Sequence, residues 1–252
     1  MRKKPSPKVF EVLSVSQVTP NMRNVSIGGP AMDAFPTGQD GGYVKLLLSP
    51  GGILSRGLMR TYTIRRQSAE RLDIEFALHG AEGEGGPAVE WAMNAKPGDE
   101  IALGGPGPAK LLPPDAESYF VVGDMTALPA IAVNLAQLRD DAKGDAVIEV
   151  RSEEDRQDLK HPSGVRVHWL YNAHPGENTD LFEEKIRSIP WPQDRVYAWS
   201  ASEFDMMRKV RAYLRQERGL QRDQLYISSY WKKGMDEESH RNVKREDATA
   251  HS

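Results

Sequence analysis

A chain of 252 residues has room for one large domain or two of ordinary size, and two is the expectation. An apolar fraction of 39% beside 27% charged residues of both signs predicts a folded globular protein, and a net charge of -3 excludes a surface built around nucleic-acid phosphates. The absence of cysteine removes disulfides, thiolate zinc sites, iron–sulfur clusters and cysteine nucleophiles together, so any electron transfer needs a bound cofactor.

The first residues, Met1-Arg2-Lys3-Lys4, carry the charge of an export signal, but Glu11 interrupts the apolar run that such a signal requires. No apolar stretch is long enough to span a bilayer, so a cytoplasmic protein without membrane insertion is expected. Short runs rich in β-branched and aromatic residues follow at 9–13, 24–27, 43–48, 61–65, 72–78 and 101–103, each bounded by turn residues. That spacing predicts a small antiparallel β-barrel. One helix is predicted within it, over 87–93, where Pro87 suits a first helical turn and Gly85-Gly86 frees the backbone ahead of it.

After Pro113-Pro114 the pattern becomes strand then helix, repeatedly. Apolar strands are expected at 119–122, 146–150, 165–170, 196–199 and 225–227. They alternate with helical periodicity at Leu128, Ile131, Leu135 and Leu138, and again at Phe204, Met207, Val210 and Leu214. This alternation predicts a parallel sheet covered by helices. Ser202-Glu203-Phe204-Asp205 has the spacing of a capping box, and Gly219 is placed to end the helix it opens. The tail is polar on every face and is either a solvated helix or disordered. The domain boundaries read from these changes are 1–112 for the barrel, 113–235 for the α/β domain and 236–252 for the tail.

Four segments carry candidate chemistry. Arg60-Thr61-Tyr62-Thr63-Ile64-Arg65 sits on a predicted strand whose alternation puts Arg60, Tyr62 and Ile64 on one face and Thr61, Thr63 and Arg65 on the other. His79-Gly80 and then Gly85-Gly86-Pro87-Ala88-Val89 lead into a helix N-terminus, a natural anion site because its first amides lack helical partners. Gly123-Asp124-Met125-Thr126-Ala127-Leu128 runs from strand through turn to helix, where Asp124 or Thr126 either caps the helix or meets a nucleotide. Near the end stands Ser229-Tyr230-Trp231-Lys232-Lys233-Gly234, which strand formation alone does not demand. His161, His168 and His174 lack the spacing of a metal site, so no metal cofactor is expected.

These segments resemble the motifs of the siderophore-interacting flavoprotein family, a branch of the ferredoxin–NADP reductase-like superfamily. The resemblance runs from Val44-Lys45-Leu46 to Gly234, with serine at 229 and at 202 where the family has glycine, and valine at 89 where it has serine or threonine. It implies a β-barrel that binds FAD followed by an NAD(P)-binding-like α/β domain. Tyr62 would stack on the flavin and Thr63 would bond near its reactive nitrogen, while Arg60 would contact the pyrophosphate. Thr61, His79, Gly85, Gly86, Ala88, Val89, Asp124, Thr126 and Ala127 would complete the cofactor contacts. Lys45, Lys232 and Lys233, with Arg65 as a fourth, would attract the anionic substrate.

The implied activity is reduction of a ferric siderophore to release ferrous iron, with NADH, NADPH or reduced ferredoxin as donor, by a monomer. Two other readings stand beside it: a general flavin or quinone reductase on the same scaffold, and a siderophore carrier without turnover. A bound flavin separates the carrier from both enzymes.

Overall fold

The protein is described from a computed structural model, which covers residues 7–48, 58–78 and 86–250. The chain folds as two compact units, Met1–Leu111 and Leu112–Ser252.

In the first unit, β1 (Lys8–Thr19), β2 (Met22–Gly28), β3 (Tyr43–Leu48), β4 (Leu58–Gln67), β5 (Arg71–Ala77) and β6 (Glu100–Gly107) close an antiparallel barrel in the order β1-β2-β5-β4-β3-β6. Strict alternation sends Val44, Leu46 and Leu48 of β3 inward, where they meet Phe10, Val25, Ile64, Ile74, Phe76 and Leu103 in one apolar core. Helix α1 (Gly86–Asn94) adds the buried Ala88 and Ala92 to that core. Strand β4 carries an irregularity against β5, where Ile64 pairs with Ile74 but Arg66 pairs with Asp73, so Arg65 is the extra residue of a bulge.

The second unit is a parallel sheet of β7 (Ser118–Gly123), β8 (Lys143–Val150), β9 (Gly164–Tyr171), β10 (Val196–Glu203) and β11 (Leu225–Trp231), ordered β11-β10-β7-β8-β9. Helices α2 (Leu128–Ala136), α3 (Thr179–Ser188) and α4 (Phe204–Ala212) pack on it, and α4 runs on into a π-helical turn over Tyr213–Glu217. Strands β8 and β9 extend from β7 one way and β10 and β11 the other, so the order reverses between β7 and β10. At such a reversal, the crevice past the carboxyl ends of the strands is where open α/β sheets bind ligands. A closed antiparallel barrel followed by a helix-covered parallel sheet is the ferredoxin reductase-like arrangement that the sequence implies.

One local reading is corrected. Helix α4 is capped by Glu203, not by a box opening at Ser202: the Glu203 carboxylate accepts from the Asp205 and Met206 amides at 2.6 and 3.2 Å, while the Ser202 hydroxyl donates to the Glu203 carbonyl. A carboxylate is the stronger acceptor for two amides at a positive helix end. Of the two readings left open for the tail the structure has the helix, α5 (Glu237–Ala250), which docks through polar side chains. No helix among the described residues is long and apolar enough to cross a membrane.

Candidate functional site

In the barrel unit, β4 holds Tyr62 half-buried with its ring centroid 4.3 Å from that of Phe76, and Phe76 in turn lies 5.7 Å from Trp91 of α1. The phenol is therefore backed by aromatic rings without being sunk among them. Thr61 and Thr63 take the opposite face, paired across the ladder with Lys45 and Tyr43 of β3. Arg60 is partly exposed and donates to its neighbour's carbonyl, Met59 O, at 2.9 Å. Arg65 is committed elsewhere, its Nε 3.4 Å from a Glu75 carboxylate oxygen, and burial raises the Glu75 pKa despite that cation.

Helix α1 opens with Gly86 at φ +75°, a left-handed conformation glycine adopts without strain, and a Cβ there would meet nothing within 4 Å among the described residues. No acidic residue occupies its first turn, so its leading amides face no carboxylate from their own turn. Ala88 and Val89 are buried, which leaves their backbone and not their side chains for an anion. His79 and Gly85 lie outside the described residues.

A half-exposed aromatic ring with a firm backing, neighbouring hydroxyls, and an open helix start with space at its first residue fit a flavin ring and its pyrophosphate.

In the sheet unit, the turn after β7 is organised by Asp124, which is 2% exposed. Its Oδ1 accepts from the Thr126 amide at 2.9 Å and from the Thr126 hydroxyl at 2.5 Å; its Oδ2 accepts from the Glu203 amide at 2.7 Å and from Trp231 Nε1 at 2.9 Å. One carboxylate thus ties together the carboxyl ends of β7 and β10, the two strands at the reversal, and of β11 beside them. Burial raises its pKa, and these hydrogen bonds act against that rise. Ala127 is fully buried at the start of α2.

The other buried acids at this edge are Glu203 and Glu149. Besides capping α4, Glu203 accepts from the Lys233 amide at 3.2 Å. Glu149 accepts from Asn172 at 3.0 Å, and burial pushes its pKa up to about 7, with Asp124 and Glu203 adding to the rise.

A bulge at Tyr230, visible where Ser202 pairs with Ser229 but Glu203 pairs with Trp231, turns the indole onto Asp124. Lys232 donates to Asp205 at 2.8 Å and covers the Phe204 ring, and Lys233 is ion-paired with Glu177. Serine at 229 has a visible use: its hydroxyl is hydrogen-bonded to the His240 ring at 2.8 Å and its carbonyl accepts from Lys244 at 2.7 Å, both on α5. The contributions of Trp231, Glu203 and Glu149 to this edge were not read from the sequence. The Trp231 position stood inside a quoted motif, but nothing in a one-dimensional pattern pairs residue 231 with residue 124.

Comparison with known proteins agrees with this division of the chain. The profile of the siderophore-interacting FAD-binding domain matches residues 11–55 and 54–110, and that of the siderophore-interacting protein matches residues 116–234. The chain is 31% identical to ferric vibriobactin reductase ViuB of Vibrio cholerae, covering 93% of this chain and 92% of that protein. It is 25% identical to the NADPH-dependent ferric-chelate reductase of Escherichia coli over 79% of this chain and 83% of that one. The solved siderophore-interacting protein SipS from Aeromonas hydrophila superimposes with a TM-score of 0.86 at 35% identity, covering 97% of this chain and 98% of that one. With the barrel, the parallel sheet and both halves of the sequence in agreement, the chain belongs to the siderophore-interacting protein family.

Proposed function

We propose that this protein is an FAD-dependent oxidoreductase that reduces ferric siderophores and so releases ferrous iron. The barrel unit would be the FAD-binding domain and the sheet unit the one that receives the electron donor. The observation that carries the reading is Tyr62, half-buried on β4 against Phe76 and within the matched FAD-binding segment.

Bound FAD supplies two-electron acceptance with one-electron release, which matches a hydride donor to ferric ions that each take one electron. Tyr62 would be the aromatic surface against which the flavin is held and shielded from water, and Thr63 would supply a hydrogen bond to it. Arg60 and the leading amides of α1 would hold the pyrophosphate. Lys45 draws in an anionic chelate from the outward face of β3. No acid or base is required at the iron, because what passes to the chelate is an electron. The donor is a nicotinamide nucleotide or reduced ferredoxin. The named activity of the Escherichia coli relative favours NADPH as the first to test.

The test is optical. The purified chain, loaded with FAD, is expected to bleach when NADPH, NADH or reduced ferredoxin is added without oxygen, and to regain its absorbance when a ferric siderophore follows, with ferrous iron appearing in a colorimetric trap. Replacement of Tyr62 by alanine is expected to weaken FAD binding about tenfold, the scale of a lost aromatic stack. A chain that takes up no FAD refutes the proposal, and a bleached chain that no ferric chelate reoxidises would leave only a flavin or quinone reductase.

A further inference from the structure

The outward face of β3 presents Tyr43 and Lys45 two residues apart. Across the ladders they face Thr63 and Thr61 on β4, and Gly107 and Gly104 on β6. A Cβ built on Gly107 would fall 2.0 to 2.5 Å from three atoms at the far end of the Tyr43 ring. The phenol therefore lies across β6 with its tip on the bare glycine, and no larger residue admits it there. Gly104 continues this surface beside Lys45, whose Cβ stands 3.9 Å from where a side chain would begin. With neighbouring strands about 4.8 Å apart, the three strands make a platform about 10 Å wide, enough for one aromatic ring laid flat.

Among the described residues, neither side chain on this platform has a polar partner. Tyr43 is half-buried, and no partner among the described residues takes its hydroxyl; Lys45 has no ion pair among them. The contrast lies with the other basic candidates, since Arg65, Lys232 and Lys233 each have a carboxylate. An aromatic ring held flat by glycine beside an ammonium that no described carboxylate pairs suits a ligand that is both aromatic and anionic.

We propose that Tyr43 determines specificity, as a stacking platform that together with Lys45 receives the aryl ring of a catecholate-type ferric chelate. The inference rests on the ferric-siderophore reading above and narrows it to a class. Each catecholate brings two negative charges and an aromatic face, so three of them leave the ferric complex strongly anionic. Three hydroxamates leave it neutral and offer no aromatic face, so neither Tyr43 nor Lys45 distinguishes it.

The experiment uses the full FAD-loaded chain, photoreduced without oxygen and mixed with ferric dihydroxybenzoate or with ferric acetohydroxamate, and follows the return of flavin absorbance. Tyr43→Leu is expected to raise the half-saturating concentration of the dihydroxybenzoate complex about fivefold to tenfold, with the limiting rate and the hydroxamate reaction unchanged. Tyr43→Phe keeps the ring and is expected to behave as wild type. Gly107→Ala dislodges the ring without altering it and is expected to reproduce the Tyr43→Leu defect. If Tyr43→Leu does not retain FAD, the comparison of Gly107→Ala with Tyr43→Phe decides the matter.

Equal losses with both chelates, or no loss with either disruptive variant, overturn the assignment of Tyr43 and leave the reductase standing. A wild-type holoprotein that reduces neither chelate, nor any other ferric siderophore offered, overturns the reductase reading itself.

Discussion

Asp124 shows how one residue can hold a sheet's working edge in place. Four donors converge on two oxygens, and the two oxygens divide them evenly, one backbone amide to each. Replacement by asparagine keeps the shape but turns one oxygen into a donor. The Thr126 hydroxyl can rotate to accept, and the Thr126 and Glu203 amides cannot. Whichever way the new amide points, a backbone N–H faces another donor, part-buried at Thr126 and buried at Glu203, a loss of about 1 to 3 kcal/mol. Asp124→Asn is therefore expected to lower the urea midpoint of the sheet unit while FAD binding by the barrel unit is retained. An unchanged midpoint would show that the knot is dispensable. From the sequence, capping and nucleotide contact were equal readings of Asp124. The structure supplies a third use, because its partners Glu203 and Trp231 lie 79 and 107 residues away.

Elements were most legible where a single face meets a core. Strand β3 reads from alternation alone with its observed ends, because its inward Val44, Leu46 and Leu48 leave no ambiguity. Strand β4 runs beyond the expected 61–65, since ladder pairing carries Leu58 and Met59 although both are exposed. The last helix was legible only as a choice between helix and disorder, for a physical reason: α5 docks through polar side chains that hydropathy counts as solvated. His240 is 6% exposed and meets Ser229 and the edge of the Phe204 ring, Lys244 reaches the β11 backbone, and Asp247 forms a bidentate pair with Arg211.

Burial first, and then the charges of Lys244 and Lys232, lower the His240 pKa to about 4. A histidine whose folded pKa lies below its unfolded value of 6.5 contributes its full stability above pH 6.5 and loses it as pH falls towards 4. Amide-exchange protection of residues 237–250 is thus expected to drop between pH 6.5 and 4, and a His240→Gln variant is expected to lose most of that dependence. Protection that stays level across this range in the wild type would separate α5 docking from His240.

At the scale of the whole molecule, the two-part architecture was legible because it is written in period: strands at short spacing up to Pro113-Pro114, then strands alternating with helices. Charge pairing was not legible, since it depends on contacts between distant segments. The four basic residues assigned to the substrate by resemblance look alike in sequence and differ in structure. Lys232 is matched by Asp205, Lys233 by Glu177 and Arg65 by Glu75, whereas Lys45 has no such partner among the described residues.

A net charge of -3 means that the protein as a whole does not attract an anionic chelate, so any attraction must come from a local, uncompensated cation. Salt screens such an attraction, with a Debye length of about 30 Å at 0.01 M falling to about 8 Å at 0.15 M. Raising ionic strength across that range is therefore expected to slow the second-order reoxidation of the reduced holoprotein by an anionic ferric catecholate several-fold. Lys45→Gln is expected to remove most of the salt dependence, whereas Lys232→Gln and Lys233→Gln each leave an unmatched carboxylate and are expected to slow the reaction chiefly at low salt. If Lys45→Gln retains the wild-type salt slope, the steering charge lies elsewhere.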